Sequence, residues 1–211
     1  MKEITALKPQ KNNQNRINVF IDGIFSFGIS HFVGAWLRVG QKISEKEINE
    51  LIKKDSYEKT LQSAIHFLGF RNRSENEVRT NLFGKGFNEE EINEVIEKLK
   101  SSGCLNDDNF AREWVESRST SRPRGRRLLT YELQQKKVNP EKISQVLQGL
   151  PNEITLALKA VSKVIHRYEK MEYDVFNEKV TGFLSRRGFD FEVIRDAKKI
   201  LWEEAQQKID R

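Results

Sequence analysis

A hydrophobic pattern that returns at a constant offset of 51 residues restricts this chain to a row of like units. The unit is clearest between Ser74 and Leu105. Ser74, with Glu77 three residues on, forms a capping box that starts one helix. Gly86 stands where that helix leaves through a left-handed turn, a conformation that costs least for glycine. Asn88 caps the next helix, and Glu89, Glu90 and Glu91 fill its first turn, where the helix dipole favours negative charge. Ile92, Val95, Ile96 and Leu99 then make one apolar stripe, and Gly103 closes the unit.

Leu82 before the turn is matched by Leu133 and Leu184, and Val78 by Leu129 and Val180. Ile92, Val95 and Leu99 become Ile143, Val146 and Leu150, then Ile194, Ala197 and Leu201. A period near fifty residues leaves room for one further helix per copy, so each copy is expected to hold three. The turn residues are Gly86-Phe87, Lys137-Val138 and Gly188-Phe189. Lys137 is the misfit. A left-handed non-glycine residue costs roughly 1–2 kcal/mol, so a differently shaped middle turn is expected.

Before the repeats, Ile17, Val19 and Ile21 alternate in period two, Asp22-Gly23 is a hairpin turn signal, and Phe25 and Phe27 continue a second strand. Ser44 with Glu47 opens a short helix through Ile48, Leu51 and Ile52, and Asp55–Tyr57 reads as a junction. The third repeat is expected to begin with a long helix from Ile154 through Tyr168. The fold class is therefore mainly α. Three tandem three-helix repeats (58–103, 104–151 and 152–211) are expected to form an elongated array, preceded by a small N-terminal β-hairpin and helix extension (1–57). A hydrophobic fraction of 37% suits such an array better than one large core. No segment has the apolar length of a membrane span, the first residues lack an apolar leader, and a single cysteine, Cys104, fits a reducing cytoplasm.

The charge is local. Arg118, Arg122, Arg124, Arg126, Arg127, Lys136 and Lys137 lie within twenty residues, with Glu132 the one acid among them. Their net of +6 equals the formal charge of the whole chain. They and the segment 117–127, read as a polar connector interrupted by Pro123 and Gly125, form the candidate anion-binding surface. Its arginines are expected to be exposed, so that charge reversal at Arg124, Arg126 and Arg127 separates function from folding. Arg71, Arg73, Arg186 and Arg187 are further candidates for the same surface. The helix after the first turn is acidic, which argues against a recognition helix in a groove and for contacts without base specificity.

Motifs for chemistry are sparse. His31, His66 and His166 lack metal-ligand spacing, and no phosphate loop, dinucleotide fingerprint or nucleophile elbow is present. Asp107, Asp108 and Glu113 are the residues a metal-dependent nuclease would use, but Asp107 reads better as a helix N-cap. Cys104 reads as a small packed hydrophobe, and Trp114 and Trp202 as core. Neither an enzyme activity, a cofactor nor a metal is expected.

Several stretches resemble one family. These are AIHFLGFRNRS (64–74), SENEV (74–78), LFGKGF (82–87), GCLNDDNFAREWVESR (103–118), GRRLLTYEL (125–133) and FLSRRGF (183–189). They are similar to those of RecX, bacterial regulators of the RecA recombinase. Trp114, where that family often has Tyr, and Lys137, where Gly is usual, depart from its pattern. The resemblance implies a non-enzymatic, monomeric, cytoplasmic modulator whose three-helix repeats form an elongated curved array. Its partners would be the RecA filament and, without sequence preference, single- and double-stranded DNA. It would limit filament growth, ATP hydrolysis and strand exchange. The competing reading is a sequence-independent DNA-binding protein that acts without RecA.

Overall fold

The computed structural model describes residues 1–168 and 170–209. They form two compact units, residues 1–71 with 78–102 and residues 72–77 with 103–168 and 170–209.

The first unit opens with an antiparallel sheet of strands β1 (Lys2–Gln10), β2 (Asn13–Ile21), β3 (Ile24–Ser30) and β4 (Lys42–Ile43), in the order β3-β2-β1-β4. The expected hairpin is β2-β3, with Ile21 opposite Ile24 and positive φ at Asp22 and Gly23. Such a turn matches the right-handed twist of the strands. Strand β1 was not anticipated. A lone hairpin is marginal in water, and β1 gives this one a third strand and a wider apolar face. Ile4, Ile17, Val19, Phe27 and Ile29 bury that face against Ile48 and Leu51.

Ile48 and Leu51 belong to helix α1 (Glu45–Leu68), which runs unbroken through the expected junction at Asp55–Tyr57. Ser44 and Glu47 make its capping box. Asp55 is no linker residue but a buried anchor. It takes Arg16 Nη2 at 3.0 Å and Lys59 Nζ at 2.8 Å, and the Ser30 amide donates to it at 2.6 Å. A carboxylate on the buried face of a helix interrupts the apolar periodicity, which is why the sequence reads there as a break. Helix α2 (Glu75–Gly84), whose residues 75–77 belong to the second unit, and helix α3 (Glu89–Ser101) follow, and Ile92, Val95, Ile96 and Leu99 of α3 are all buried. α3 packs on α1.

The second unit holds α4 (Asp107–Ser121), α5 (Arg126–Gln135), α6 (Pro140–Gln148), α7 (Glu153–Ser162), α8 (Tyr173–Arg186) and α9 (Phe191–Ile209). One continuous core joins them, including Phe110, Leu129, Leu133, Ile143, Phe176, Leu184, Phe189 and Leu201. The long helix expected from Ile154 to Tyr168 ends at Ser162, and a separate 3-10 turn covers Ile165–Arg167. Val146 is only half-buried: α6 ends at Gln148, and Ile143, Leu147 and Leu150 fill the core instead. The N-cap of α4 is Asn106 rather than Asp107, its side chain accepting from the amides of Asp108 and Asn109.

The three turns are alike. In the first, the Phe87 amide donates to Leu82 O at 3.3 Å and the Gly86 amide to Phe83 O at 2.9 Å. The pairs Val138–Leu133 and Lys137–Gln134 repeat this at 3.1 and 2.8 Å, and Phe189–Leu184 and Gly188–Ser185 at 3.3 and 3.0 Å. This is the Schellman arrangement each time. Lys137 adopts φ +55°, close to the left-handed values of Gly86 and Gly188. The middle turn therefore has the same shape as the others and carries the strain of a side chain there. The apolar contact beneath it, Leu133 with Val138, is fully buried and holds it in place.

Candidate anion-binding surface

The segment 117–127 is not a loop of eleven residues. Ser117 to Ser121 continue α4, and the hydroxyls of Ser119 and Ser121 donate to the carbonyls of Val115 and Ser117 at 2.8 and 2.7 Å. Serine that returns its hydrogen bond to the preceding turn does not break a helix. Only Arg122, Pro123, Arg124 and Gly125 link α4 to α5. Pro123 and Gly125 are buried. The Gly125 amide donates to Arg187 O at 2.9 Å. A Cβ on Gly125 would overlap the Gly188 carbonyl, and one on Gly188 would overlap Leu128. Glycine at both positions lets the link close on the C-terminus of α8.

That closure sets Arg187 against the link, where its Nη1 donates to Pro123 O at 3.3 Å. Glu132 on α5 completes the group. Trp114 Nε1 and Arg118 Nε donate to its Oε2 at 2.9 and 2.8 Å, and Arg124 pairs with its Oε1. The Arg118 guanidinium lies over the Trp114 ring, 3.3 Å from the centroid. Burial lowers the Arg124 pKa, and the charges of Arg118, Arg187 and Arg122 lower it further. Burial, then Arg122, act the same way on Arg187. Both stay charged, since an arginine does not lose its proton in a protein. Two guanidiniums, Arg118 and Arg124, thus share one carboxylate, and the charges of Arg122 and Arg187 also act on Arg124.

The other candidates divide. Arg126 Nε pairs with Glu153 at 3.3 Å, and its amide donates to the same carboxylate at 2.9 Å, which supplies the N-terminus of α5 with the acceptor that Gly125 lacks. Lys136 pairs with Glu77 at 2.7 Å. Arg122, Arg127, Lys137 and Arg186 are exposed. Arg71 is exposed in the first unit, and Arg73 is half-buried in the second. The expectation of uniformly exposed arginines at 124, 126 and 127 is therefore corrected. Arg124 is only 25% exposed and ion-paired, Arg126 is also paired, and Arg127 alone fits. Sequence reasoning missed the roles of Glu132, Glu153 and Glu77. For Glu132 the signal was present, as the one acid in a basic stretch.

The nuclease carboxylates do not converge. Asp107 accepts from the Glu75 amide at 2.8 Å, Asp108 pairs with Lys142 at 2.8 Å, and Glu113 accepts from Asn72 at 2.7 Å. Burial raises the Asp107 pKa. Among the described residues no group of three or more His, Cys, Asp or Glu could hold a metal ion. Cys104 is exposed, contrary to the packed position expected for it. Also among the described residues, no helix is long and apolar enough to cross a membrane.

The helices and their arginines can be compared with known proteins. Models of the RecX first, second and third three-helix domains match residues 61–99, 106–147 and 152–197, and the regulatory protein RecX N-terminal domain matches residues 2–44. A regulatory protein RecX of Bacillus pumilus is 31% identical over 201 residues, which cover 93% of this chain and 76% of that one. The chain belongs to the RecX family. A RecX of Clostridium botulinum is 30% identical over 205 residues, covering 94% of this chain and 96% of its own. Two crystal structures share the fold. One of regulatory protein RecX has a TM-score of 0.71 at 24% identity, covering 94% of this chain and all of that one. One of RecX from Lactobacillus salivarius has a TM-score of 0.63 at 22% identity, covering 70% and 97%. The family resemblance drawn from the motifs is correct. The RecX second three-helix domain contains α4, the arginine link, α5 and Glu132, and the third contributes Arg187.

Proposed function

We propose that this chain is a cytoplasmic, monomeric regulator that binds the RecA–DNA filament and restrains filament growth, ATP hydrolysis and strand exchange. Membership of the RecX family supports the regulatory part. The observation that carries the contact is the pairing of Arg118 and Arg124 on Glu132, with Arg187 tied to the same link and Arg122 exposed within it. Planar guanidiniums suit phosphate and carboxylate oxygens, the two anions that a protein–DNA filament displays. The contact reads backbone, so it carries no base preference. Exposed Arg127, Lys137 and Arg186 extend the positive field that steers the encounter. Helix packing and buried ion pairs are left intact when only exposed members change.

The test is RecA-dependent ATPase on single-stranded DNA with Arg122→Glu combined with Arg127→Glu. Both side chains are exposed, so melting should stay within about 2–4 °C of the parent, about 0.5 kcal/mol per site at most. Inhibition should fall at least about tenfold in potency, as two reversed charges in a phosphate-facing surface require. Full inhibition by this folded variant would reject the surface. The alternative, a DNA-binding protein that acts without RecA, predicts equal retention on naked DNA and on filaments.

A further inference from the structure

We propose that Glu132 is the positioning residue of a phosphate-binding site: it holds Arg118 and Arg124 so that, with Arg122 and Arg187, they receive a phosphodiester group of a nucleic-acid backbone. This rests on the reading that the cluster faces DNA. It adds the ligand chemistry and the residue that shapes the site.

A nearly buried carboxylate in a basic stretch ordinarily weakens anion binding, because it cancels charge. Here its geometry does more. Glu132 is 15% exposed and is fixed from three sides, by Trp114 Nε1 at 2.9 Å, by Arg118 Nε at 2.8 Å and by Arg124 Nη1. The indole that donates to Glu132 also supports Arg118 from below, at 3.3 Å from the ring centroid. Two long side chains are therefore ordered before any ligand arrives. Ordering them in advance removes an entropy cost that binding otherwise meets. The remaining wall is equally fixed. The Gly125 amide holds the Arg187 carbonyl at 2.9 Å, and the Arg187 side chain returns to Pro123 O at 3.3 Å. Two guanidiniums share the one carboxylate, and Arg187 is tied to the link that carries Arg122 and Arg124, so the group holds more positive charge than Glu132 offsets and accepts a further anion. A phosphodiester fits that need, since guanidiniums bind its oxygens through paired N–H donors.

Neutralisation and positioning predict opposite signs. Glu132→Gln adds one unit of positive charge. If the carboxylate only cancels charge, the variant binds single-stranded DNA more tightly. If it positions the arginines, the variant binds more weakly although its net charge has risen. The experiment is fluorescence anisotropy with a labelled oligothymidylate at several salt concentrations, using the full chain, Glu132→Gln and Trp114→Phe. Trp114→Phe keeps an aromatic face under Arg118 and deletes one donor to Glu132. We expect affinity to fall about fivefold for Glu132→Gln and about twofold for Trp114→Phe, the scale of lost preorganisation rather than lost charge. Circular dichroism establishes that each variant is folded. Equal or tighter binding by both variants overturns the proposal, as does a parent chain that does not bind the oligonucleotide. Failure of the functional reading looks different: Arg122→Glu with Arg127→Glu would then inhibit RecA fully, whatever Glu132→Gln does.

Discussion

Two carboxylates in this molecule sit in similar company and serve different ends. Asp55 on α1 takes Arg16, Lys59 and the Ser30 amide, with its own side chain 4% exposed. Glu132 on α5 takes Arg118, Arg124 and Trp114, and is 15% exposed. At Asp55 the donors converge from strand, helix and backbone, so the group ties the β3 end of the sheet to α1. Beside Glu132, the charges of Arg122 and Arg187 act on Arg124 as well. A buried carboxylate matched to its donors is part of the architecture. A carboxylate outnumbered by arginines is, on the function proposed above, the group that positions them for a further anion.

The largest expected effect falls on the first of these. Asp55→Ala leaves Arg16 buried without its carboxylate, and such a loss costs about 3–5 kcal/mol. Urea unfolding should show it, while DNA affinity at a temperature where the chain remains folded should not change. A destabilisation below about 1 kcal/mol would erase the contrast, since Asp55 would then be no anchor. Glu132→Gln should cost less, roughly 1–2 kcal/mol for weakened charged hydrogen bonds at a partly open site, but should change DNA binding.

Acid separates the two further. Burial raises the Asp55 pKa, but the hydrogen bonds from Arg16, Lys59 and the Ser30 amide outweigh burial and leave it below the ordinary value. The folded state therefore binds fewer protons than the unfolded chain. The stabilisation is complete above the unfolded carboxylate pKa, near 3.9, and is lost as pH falls through the lower folded value. Asp55→Ala should flatten this acid limb of the stability curve. An unchanged acid limb would show that Asp55 is not held as an anion.

The smallest effect concerns Lys137, which adds an exposed positive charge at φ +55°. Lys137→Gly should raise stability by about 0.5–1 kcal/mol through relief of left-handed strain. It should lower DNA affinity slightly through the lost charge. Gly86→Ala should do the reverse to stability by about 1 kcal/mol, because a Cβ there meets open space and only the backbone resists. If Lys137→Gly is destabilising, the shared turn geometry is wrong for the middle repeat.

The sequence made the repeats legible because each carries the same buried positions. Leu82, Leu133 and Leu184 are wholly inaccessible, and Ile92, Ile143 and Ile194 are each 3% exposed. Strand β1 was hidden, since Ile4 is its one buried residue and Pro9 falls near its end. Asp55 misled because a buried charge looks like a break until its partner is known, and Arg16 lies 39 residues away. The arginines announced themselves by density. Their division into paired and exposed members did not, because Glu153 and Glu77 lie 27 and 59 residues from Arg126 and Lys136. Such pairs are set by the fold of the chain and leave no local pattern.

The central claim is that the surplus arginines around Glu132 meet phosphate. It is tested most directly by the salt dependence of binding to single-stranded DNA, for the parent and for Arg122→Glu with Arg127→Glu. A surface that neutralises about three to five phosphates gives a slope of log affinity against log salt of roughly −2 to −3.5 for the parent. Loss of the Arg122 contact should make that slope shallower by about 0.7. A slope that is the same for both proteins, at equal affinity, would contradict the account.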